Sequence, residues 1–362
     1  MRPLVPPYIE SLKPYVPGKP IAEVQREYGI RDVVKLASNE NPLGPSPLAV
    51  IAMKAAVEQV HLYPDASSFD LIHALSKFLG FPPSEIAVGS GSNELIELII
   101  RTFTVPEDEA LLSAGSFVMY KVALQAHGRS FVEVPMKAGF RYDLEAMAAR
   151  ISSRTRLIFL ANPDNPTGTA FGRTELEAFL EKVPPDVLVV LDEAYFEFVR
   201  WSEYPNGLDY VRGMRNVIVL RTFSKIYGLA GIRLGYGVMD AELVGYLNRT
   251  RMPFDVTNIA QAAGIAALGD TAHRDRTCEL NLAQVAYLEA ELLRLGLSAP
   301  KSYTNFVFVD FQRAAKPLYQ ALLEKGVITR PVAAYGFPNA LRISVGLPEQ
   351  NERLVRTLGE IL

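Results

Sequence analysis

From about residue 85 onward, short apolar, β-branched runs alternate with longer helical patterns along this 362-residue chain. Each run ends in a polar or glycine cluster. EIAVG leads into SGSNELIELIIRTF, RLIFLA into NPDNPTG, VLVVLD into EAY, and NVIVLRT into FSK, while GIRLGYGVM reads as a further strand. Runs of this kind predict parallel strands buried on both faces, with crossover helices such as TELEAFLEKV between them. Beyond about residue 240 the rhythm changes. AELVGYLNRTR, IAQAAGIAALG and the amphipathic NLAQVAYLEAELLRLG read as helices. YTNFVFVDF and ALRISVGL read as strands, with AAKPLYQALLEKG helical between them. The expected fold is α/β: a mostly parallel sheet flanked by helices in a large domain, 31–245, followed by a smaller α+β C-terminal domain, 246–362. Residues 1–30 read as an N-terminal arm, with five prolines before residue 20 and a short helical piece, IAEVQREYG.

Composition narrows this picture. Apolar residues make up 49% and charged residues 21%, so the chain is globular. The formal charge of −3 comes with both signs spread along the chain and no basic stripe, which argues against a nucleic-acid partner. One cysteine, Cys278, excludes an internal disulfide and a cysteine metal cluster, and fits a reducing cytoplasm. The four histidines, at 61, 73, 127 and 273, are widely separated along the chain, so no metal site is expected. MRPLVPPYIESLKPYVPGKP has no continuous apolar core of a secretion signal, and no run is long enough to span a bilayer. A membrane partner is therefore not expected either.

The candidate chemistry falls where the strands end. Ligands of open α/β sheets bind beyond the carboxyl ends of the strands, and Asn165, Asp192, Tyr195, Ser224 and Lys225 all follow strands directly. In GSGSNE, Ser92 or Asn93 can cap a helix whose free N–H groups would hold an anion; an ordinary capped helix has the same pattern. The third glycine of a dinucleotide fingerprint is missing. NPDNPTG is a proline-stiffened turn that can fix Asn165 as a hydrogen-bond donor, or simply a tight loop. Asp192 needs a cationic or hydrogen-bonding partner if its strand is buried, or else it caps the next helix; Tyr195 can bring a phenol to the same place. Ser224 and Arg233 suit a phosphate. A desolvated Lys225 has a lowered amine pKa and becomes a nucleophile toward a carbonyl. One molecule satisfies all these groups: an aldehyde that carries a phosphate and a ring nitrogen. Pyridoxal 5'-phosphate is such a molecule, with Lys225 as its Schiff-base partner.

The segments SNENPLGPSP, GSGSNELIELIIR, NPDNPTG, VLDEAY, RTFSKIYGLAGIRLGYG and LRISVG resemble, in order and spacing, the histidinol-phosphate aminotransferase family of fold-type-I pyridoxal-phosphate enzymes. The likeness runs from about Leu36 to Val345. It implies that Lys225 forms the Schiff base and that Asp192 keeps the pyridine nitrogen protonated. Asn165 and Tyr195 would bond the ring's phenolic oxygen. Ser92, Asn93, Thr222, Ser224 and Arg233 would cradle the phosphate, and Tyr120 would stack on the ring. Tyr63 would reach the cofactor phosphate of a neighbouring subunit, which implies a homodimer with shared sites. Arg342 would grip the substrate's anionic end with Arg330 beside it, and Asn41 and Gly44 would line the substrate side. Two positions depart from the family pattern. Gly115 stands where a proline is frequent, and Phe254 has no hydroxyl to offer a substrate phosphate.

The implied reaction is transamination between histidinol phosphate and 2-oxoglutarate, so the expected small-molecule partners are an amino donor and a 2-oxo acid. Three other functions fit the same scaffold: an aromatic-amino-acid aminotransferase, a decarboxylase resembling the threonine-phosphate enzymes, and a cofactor-binding module without turnover. Product and donor analysis separates them.

Overall fold

The structure, a computed structural model, describes residues 4–14 and 18–362; arm residues 1–3 and 15–17 lie outside them. The strands in chain order are β1 (Val34–Lys35), β2 (Ile86–Gly89), β3 (Glu109–Ser113), β4 (Ser130–Val134), β5 (Thr155–Ala161), β6 (Leu188–Asp192), β7 (Val217–Thr222), β8 (Gly235–Val238), β9 (Phe306–Asp310), β10 (Val327–Ile328), β11 (Arg330–Pro331) and β12 (Ala340–Ser344). Seven of them form one sheet in the order β2-β8-β7-β6-β5-β3-β4, in which β8 alone runs antiparallel to its neighbours. The mostly parallel sheet flanked by helices is therefore present. Every residue of β6 and β7 is buried, which is why their sequences are unbroken apolar runs ending in Asp192 and Thr222.

β3 and β4 carry no comparable signal and are additions to the expected strands. β4 lies at the sheet edge, and only its last residue is buried. With a neighbouring strand on one side only, β4 is less covered, and its sequence, SFVEV, is broken by the exposed Ser130 and Glu133.

The second body is built from the antiparallel sheet β11-β12-β9 and the two-stranded parallel pair β1–β10. Leu288, Leu292, Leu322, Leu354 and Leu358, from the helices Thr271–Arg294, Ala315–Glu324 and Pro348–Ile361, fill its core. The packing changes partner later than the expected division at 245/246. The helix Asn258–Gly269 lies against the helices Pro47–Ala56 and Phe69–Leu79, and its Ala260, Ala263 and Ala267 join the core of the large sheet. Its small side chains let the backbones approach closely. β1, in turn, belongs to the smaller body through its pairing with β10.

One ion pair lies beneath the edge where the candidate residues gather. Arg221 and Glu193 sit one residue out of phase with Thr222 and Asp192, so they project from the opposite face of the sheet. Both are buried. Glu193 Oε2 accepts from Arg221 Nε and Nη2 at 3.0 and 2.7 Å, and Glu193 Oε1 accepts from the Gly207 N–H at 2.6 Å. Asn206 Oδ1 takes a further bond from Arg221 at 2.8 Å. Glu193→Ala would leave this guanidinium buried without its counter-charge. It should lower the unfolding free energy by about 3–5 kcal/mol in a urea titration. A loss below about 1 kcal/mol would mean that water reaches Arg221.

Candidate active site

Four strand ends and one helix start meet at the carboxyl edge of the large sheet and enclose a cavity of about 220 Å³. The turns after β5, β6 and β7 bring Asn165, Asp192, Tyr195, Ser224 and Lys225 to its walls. Thr222, Ser92, Asn93 and Arg233 line the same space. Residues as distant in sequence as Ser92 and Arg233 are thus gathered by topology, as the strand-end pattern requires.

The anion end is built from backbone. The helix Ser92–Phe103 begins without any side-chain cap; its N-cap residue is Gly91, not Ser92 or Asn93 as expected. Its first N–H groups and the Ser92 hydroxyl are therefore left to the cavity. Glycines keep the approach open: a methyl group at Gly235 would lie 2.3 Å from the Ser92 nitrogen, and one at Gly91 2.6 Å from Arg233 Nη2. Arg233 holds its own guanidinium there through Nη1 to the Ala230 carbonyl at 3.0 Å. Thr222 Oγ1 donates to Ser224 Oγ at 3.0 Å. Hydroxyls, helix N–H groups and one arginine make a phosphate-type donor set.

Asp192 is 4% exposed. Its Oδ2 accepts from the Tyr120 hydroxyl at 2.7 Å and its Oδ1 from the Ala194 N–H at 3.2 Å. Burial pushes its carboxyl above the ordinary value, while these donors and the charge on Lys225 pull it back. The Lys225 amine makes no hydrogen bond among the described residues. Burial, together with the positive charges of Arg342 and Arg233, brings its amine from 10.5 down to about 8. Near neutral pH a fraction of it is uncharged and nucleophilic.

Tyr120 does not reach the cavity face. Its ring is buried on Phe159, with centroids 4.8 Å apart, and its hydroxyl is committed to Asp192. The aromatic residue that this segment brings to the wall is Phe117, which precedes the helix Val118–Ala126 and meets Tyr120 edge to face at 5.4 Å. One helical turn separates the two rings, so the helix start faces the cavity and the next turn points into the sheet. The Gly115 departure has a steric reason. Its φ is +82°, and a side chain there would meet the Phe337 ring at 2.4 Å.

The substrate-side candidates divide. Arg330 and Arg342 are direct cross-strand partners on β11 and β12, so both side chains leave the same face of the small sheet. Both are buried. Arg342 reaches the cavity wall: Nη1 donates to Asn165 Oδ1 at 2.5 Å and Nη2 to the Ala37 carbonyl at 2.8 Å, while Nε is buried without a partner among the described residues. Because Asn165 Oδ1 is taken, its amide NH2 is the end left for the cavity. Arg330 lines a separate cavity of about 720 Å³ beside arm residues Ser11–Pro14.

Asn41 turns away from the main cavity. Its Nδ2 donates to the Ile226 carbonyl at 3.0 Å and to Thr277 Oγ1 at 3.2 Å, which ties its loop to the turn after Lys225. Gly44 abuts that turn, its carbonyl oxygen 2.0 Å from where a Gly228 side chain would begin. Tyr63 is 84% exposed and stacks on Phe254 at 4.8 Å, outside the cavity of its own chain. Two residues at the site carry no usable sequence signal. Phe117 lacks the polar mark of a binding residue, and Asn39 stands in the same SNEN segment as Asn41, where nothing local separates the two.

Known proteins share this chain's sequence pattern and fold. Residues 31–358 match the family model for class I and II aminotransferases. A histidinol-phosphate aminotransferase of Anaeromyxobacter sp. (strain Fw109-5) is 57% identical over 361 residues, 99% of each chain. One from Moorella thermoacetica is 49% identical over 355 residues, covering 98% of this chain and 92% of the relative. The crystal structure of histidinol-phosphate aminotransferase from Sinorhizobium meliloti in complex with pyridoxal-5'-phosphate superposes with a TM-score of 0.91 at 30% identity, over 99% of this chain and 97% of that one.

Two measurements test the site. Competitive acetylation of the cofactor-free protein across pH should give Lys225 a midpoint of about 8, its reactivity rising as the ammonium loses its proton. A midpoint near the ordinary lysine value of about 10.4 would place the side chain in solvent. Tyr120→Phe keeps the ring packing and removes one donor from Asp192. It should bind cofactor normally and lose about 1.5–3 kcal/mol of transition-state stabilisation, roughly one to two decades in kcat. Parental turnover would mean that Tyr120 only fills space.

Proposed function

This chain belongs to the class I and II aminotransferases, and from that premise we propose that it carries the amino group of histidinol phosphate to 2-oxoglutarate, leaving imidazole-acetol phosphate and glutamate. It is a transaminase and uses pyridoxal 5'-phosphate. The residues fit that cofactor on three observations. A helix N-terminus lies open for a phosphate, a buried carboxylate has neutral donors but no hydrogen-bonded cation, and a half-desolvated amine makes no hydrogen bond. When bound, the pyridinium ring supplies an electron sink for the bond broken at the donor's amine-bearing carbon.

The remaining chemistry belongs to the chain. Ser92, Asn93, Thr222, Ser224 and Arg233 hold the phosphate. Asp192 would carry the negative charge that keeps the ring nitrogen protonated, Asn165 and Tyr195 would donate to the phenolic oxygen, and Phe117 would lie against the ring. Lys225 would hold the cofactor at its carbonyl carbon, and its amine, when free, would move a proton at the substrate carbon as base and then acid. The two half-reactions share one site, so the kinetics are ping-pong.

The observation that carries the choice of donor is the cross-strand pair Arg330–Arg342. Two guanidinium groups leaving one face of one small sheet suit a dianionic phosphate better than a single carboxylate. The names of both curated relatives support the same donor. In the return half-reaction the pair receives the distal carboxylate of the 2-oxo acid.

The same reading makes the protein a cytoplasmic homodimer. Ile51, Leu62, Tyr63, Met252 and Phe254 are all exposed apolar side chains, more than a monomer keeps on neighbouring segments without use. Tyr63 then meets the cofactor phosphate of the other subunit. No helix among the described residues is long and apolar enough to cross a membrane.

The experiment is kcat/KM for histidinol phosphate, phenylalanine and threonine phosphate, with the parent and with Arg330→Ala. Losing one charge-assisted contact should cost histidinol phosphate about 1.5–3 kcal/mol and phenylalanine much less. An equal loss for both donors would transfer the assignment to an aromatic aminotransferase. Carbon dioxide release from threonine phosphate without amino transfer would transfer it to a decarboxylase. Shared sites have their own test. Tyr63→Ala and Lys225→Ala, each inactive alone, should regain activity when refolded together, and a mixture that stays inactive would contradict the dimer.

A further inference from the structure

We propose that Asn39 is a positioning residue that fixes the direction of the Tyr195 hydroxyl hydrogen, so that the phenol can act only as a donor toward the cavity. This rests on the reading of Tyr195 as a ligand of the cofactor's phenolic oxygen.

A chain of forced hydrogen-bond roles runs through these buried groups. Asn39 is 1% exposed, Ser344 4% and Tyr195 3%, so water does not supply alternatives. The backbone N–H of Asn39 can only donate, and it does so to Ser344 Oγ at 2.7 Å. Ser344 Oγ has one hydrogen of its own, and it goes to Asn39 Oδ1 at 2.9 Å. That bond sets the amide: Oδ1 faces Ser344, and Nδ2 faces Tyr195, 2.9 Å from the phenolic oxygen. An amide NH2 can only donate. The Tyr195 oxygen therefore accepts, and its hydrogen must point elsewhere. No other hydrogen bond to this hydroxyl exists among the described residues, and Tyr195 lines the cavity.

Backbone geometry holds the arrangement in place. Asn39 has φ +55°, the left-handed region that asparagine tolerates better than most residues. That turn lets its N–H and its side-chain oxygen face the same serine. Its carbonyl is held in turn by Asn305 Nδ2 at 3.0 Å, and the Phe306 ring packs edge-on against Tyr195 at 5.3 Å. The charged groups around the phenol are Arg342, Asp192 and Lys225, whose Nζ lies 5.7 Å from the ring centroid. None of them accepts the phenolic hydrogen.

The chemical consequence is specific. A donor fixed on the phenolic oxygen stabilises negative charge there and lowers the proton affinity of the nitrogen that joins Lys225 to the cofactor. The readout is the pH midpoint of the bound cofactor's absorbance change, measured on the loaded protein. Tyr195→Phe should raise this midpoint by about one unit or more, the size expected for one charge-assisted bond. Asn39→Asp replaces the NH2 by an acceptor, draws the phenolic hydrogen away from the cavity and should raise the midpoint comparably. In the double variant Asn39→Asp/Tyr195→Phe the midpoint should rise no further than in Tyr195→Phe. The control matters, because a mere effect of the added negative charge would persist there. Ser344→Ala frees the amide and should shift the midpoint in the same direction by less; it carries the test if Asn39→Asp does not fold.

A shift in Tyr195→Phe with unchanged midpoints in Asn39→Asp and Ser344→Ala would overturn the role of Asn39 alone. So would a double variant that adds the two shifts. An unchanged midpoint in Tyr195→Phe itself would remove the reading of Tyr195 and this inference with it.

Discussion

Desolvation at the carboxyl edge of one parallel sheet is the constraint on which the rest depends. β6 and β7 are buried over their whole length, so whatever follows them is delivered into a place with little water. Asp192 and Lys225 are the charged groups that these two strands deliver there, and burial pushes both toward their neutral forms. A carboxylate and an amine so placed are costly unless a third group completes them. In the proposed reading a ring nitrogen for one and a carbonyl carbon for the other would do so together. The Arg221–Glu193 pair, on the opposite face of the same two strand ends, shows the alternative. There the protein supplies both charges itself, and no ligand is called for.

The smaller body does more than close the cavity. Arg342 and Ser344 are two residues apart on β12 and so share a face. Arg342 takes the oxygen of Asn165, and Ser344 sets the amide of Asn39, which in turn sets Tyr195. Both polar groups proposed to meet the phenolic oxygen are thus oriented from one strand of the other body. The large sheet positions these side chains, and the small sheet decides which of their atoms face the ligand. A movement of β12 would alter hydrogen-bond polarity at the site as well as its volume.

Much of this was legible in the sequence, for a physical reason. Strands buried on both faces write unbroken apolar runs, and a polar residue directly after such a run has to have a partner. That logic picks out Asn165, Asp192, Tyr195 and Lys225 without any structure. It fails where the signal is not local. β4 is an edge strand whose apolar run is interrupted by Glu133. Tyr120 and Phe117 lie one turn apart on a helix start, and which of them faces the cavity depends on how that helix docks. Asn39 and Asn41 are two asparagines in one tetrapeptide. Only the tertiary partners, Ser344 for one and Ile226 and Thr277 for the other, distinguish them. The late change of packing partner, within the helices after residue 250, was hidden because alanine-rich helices read alike whichever core they serve.

The central claim is that Lys225 is the residue that meets the cofactor's carbonyl. Borohydride reduction of the loaded protein, followed by proteolysis and mass spectrometry, tests it most directly. The account predicts one reduced cofactor per chain, on the peptide carrying Lys225. A label on any other lysine, or a cofactor that washes out unreduced, would contradict it.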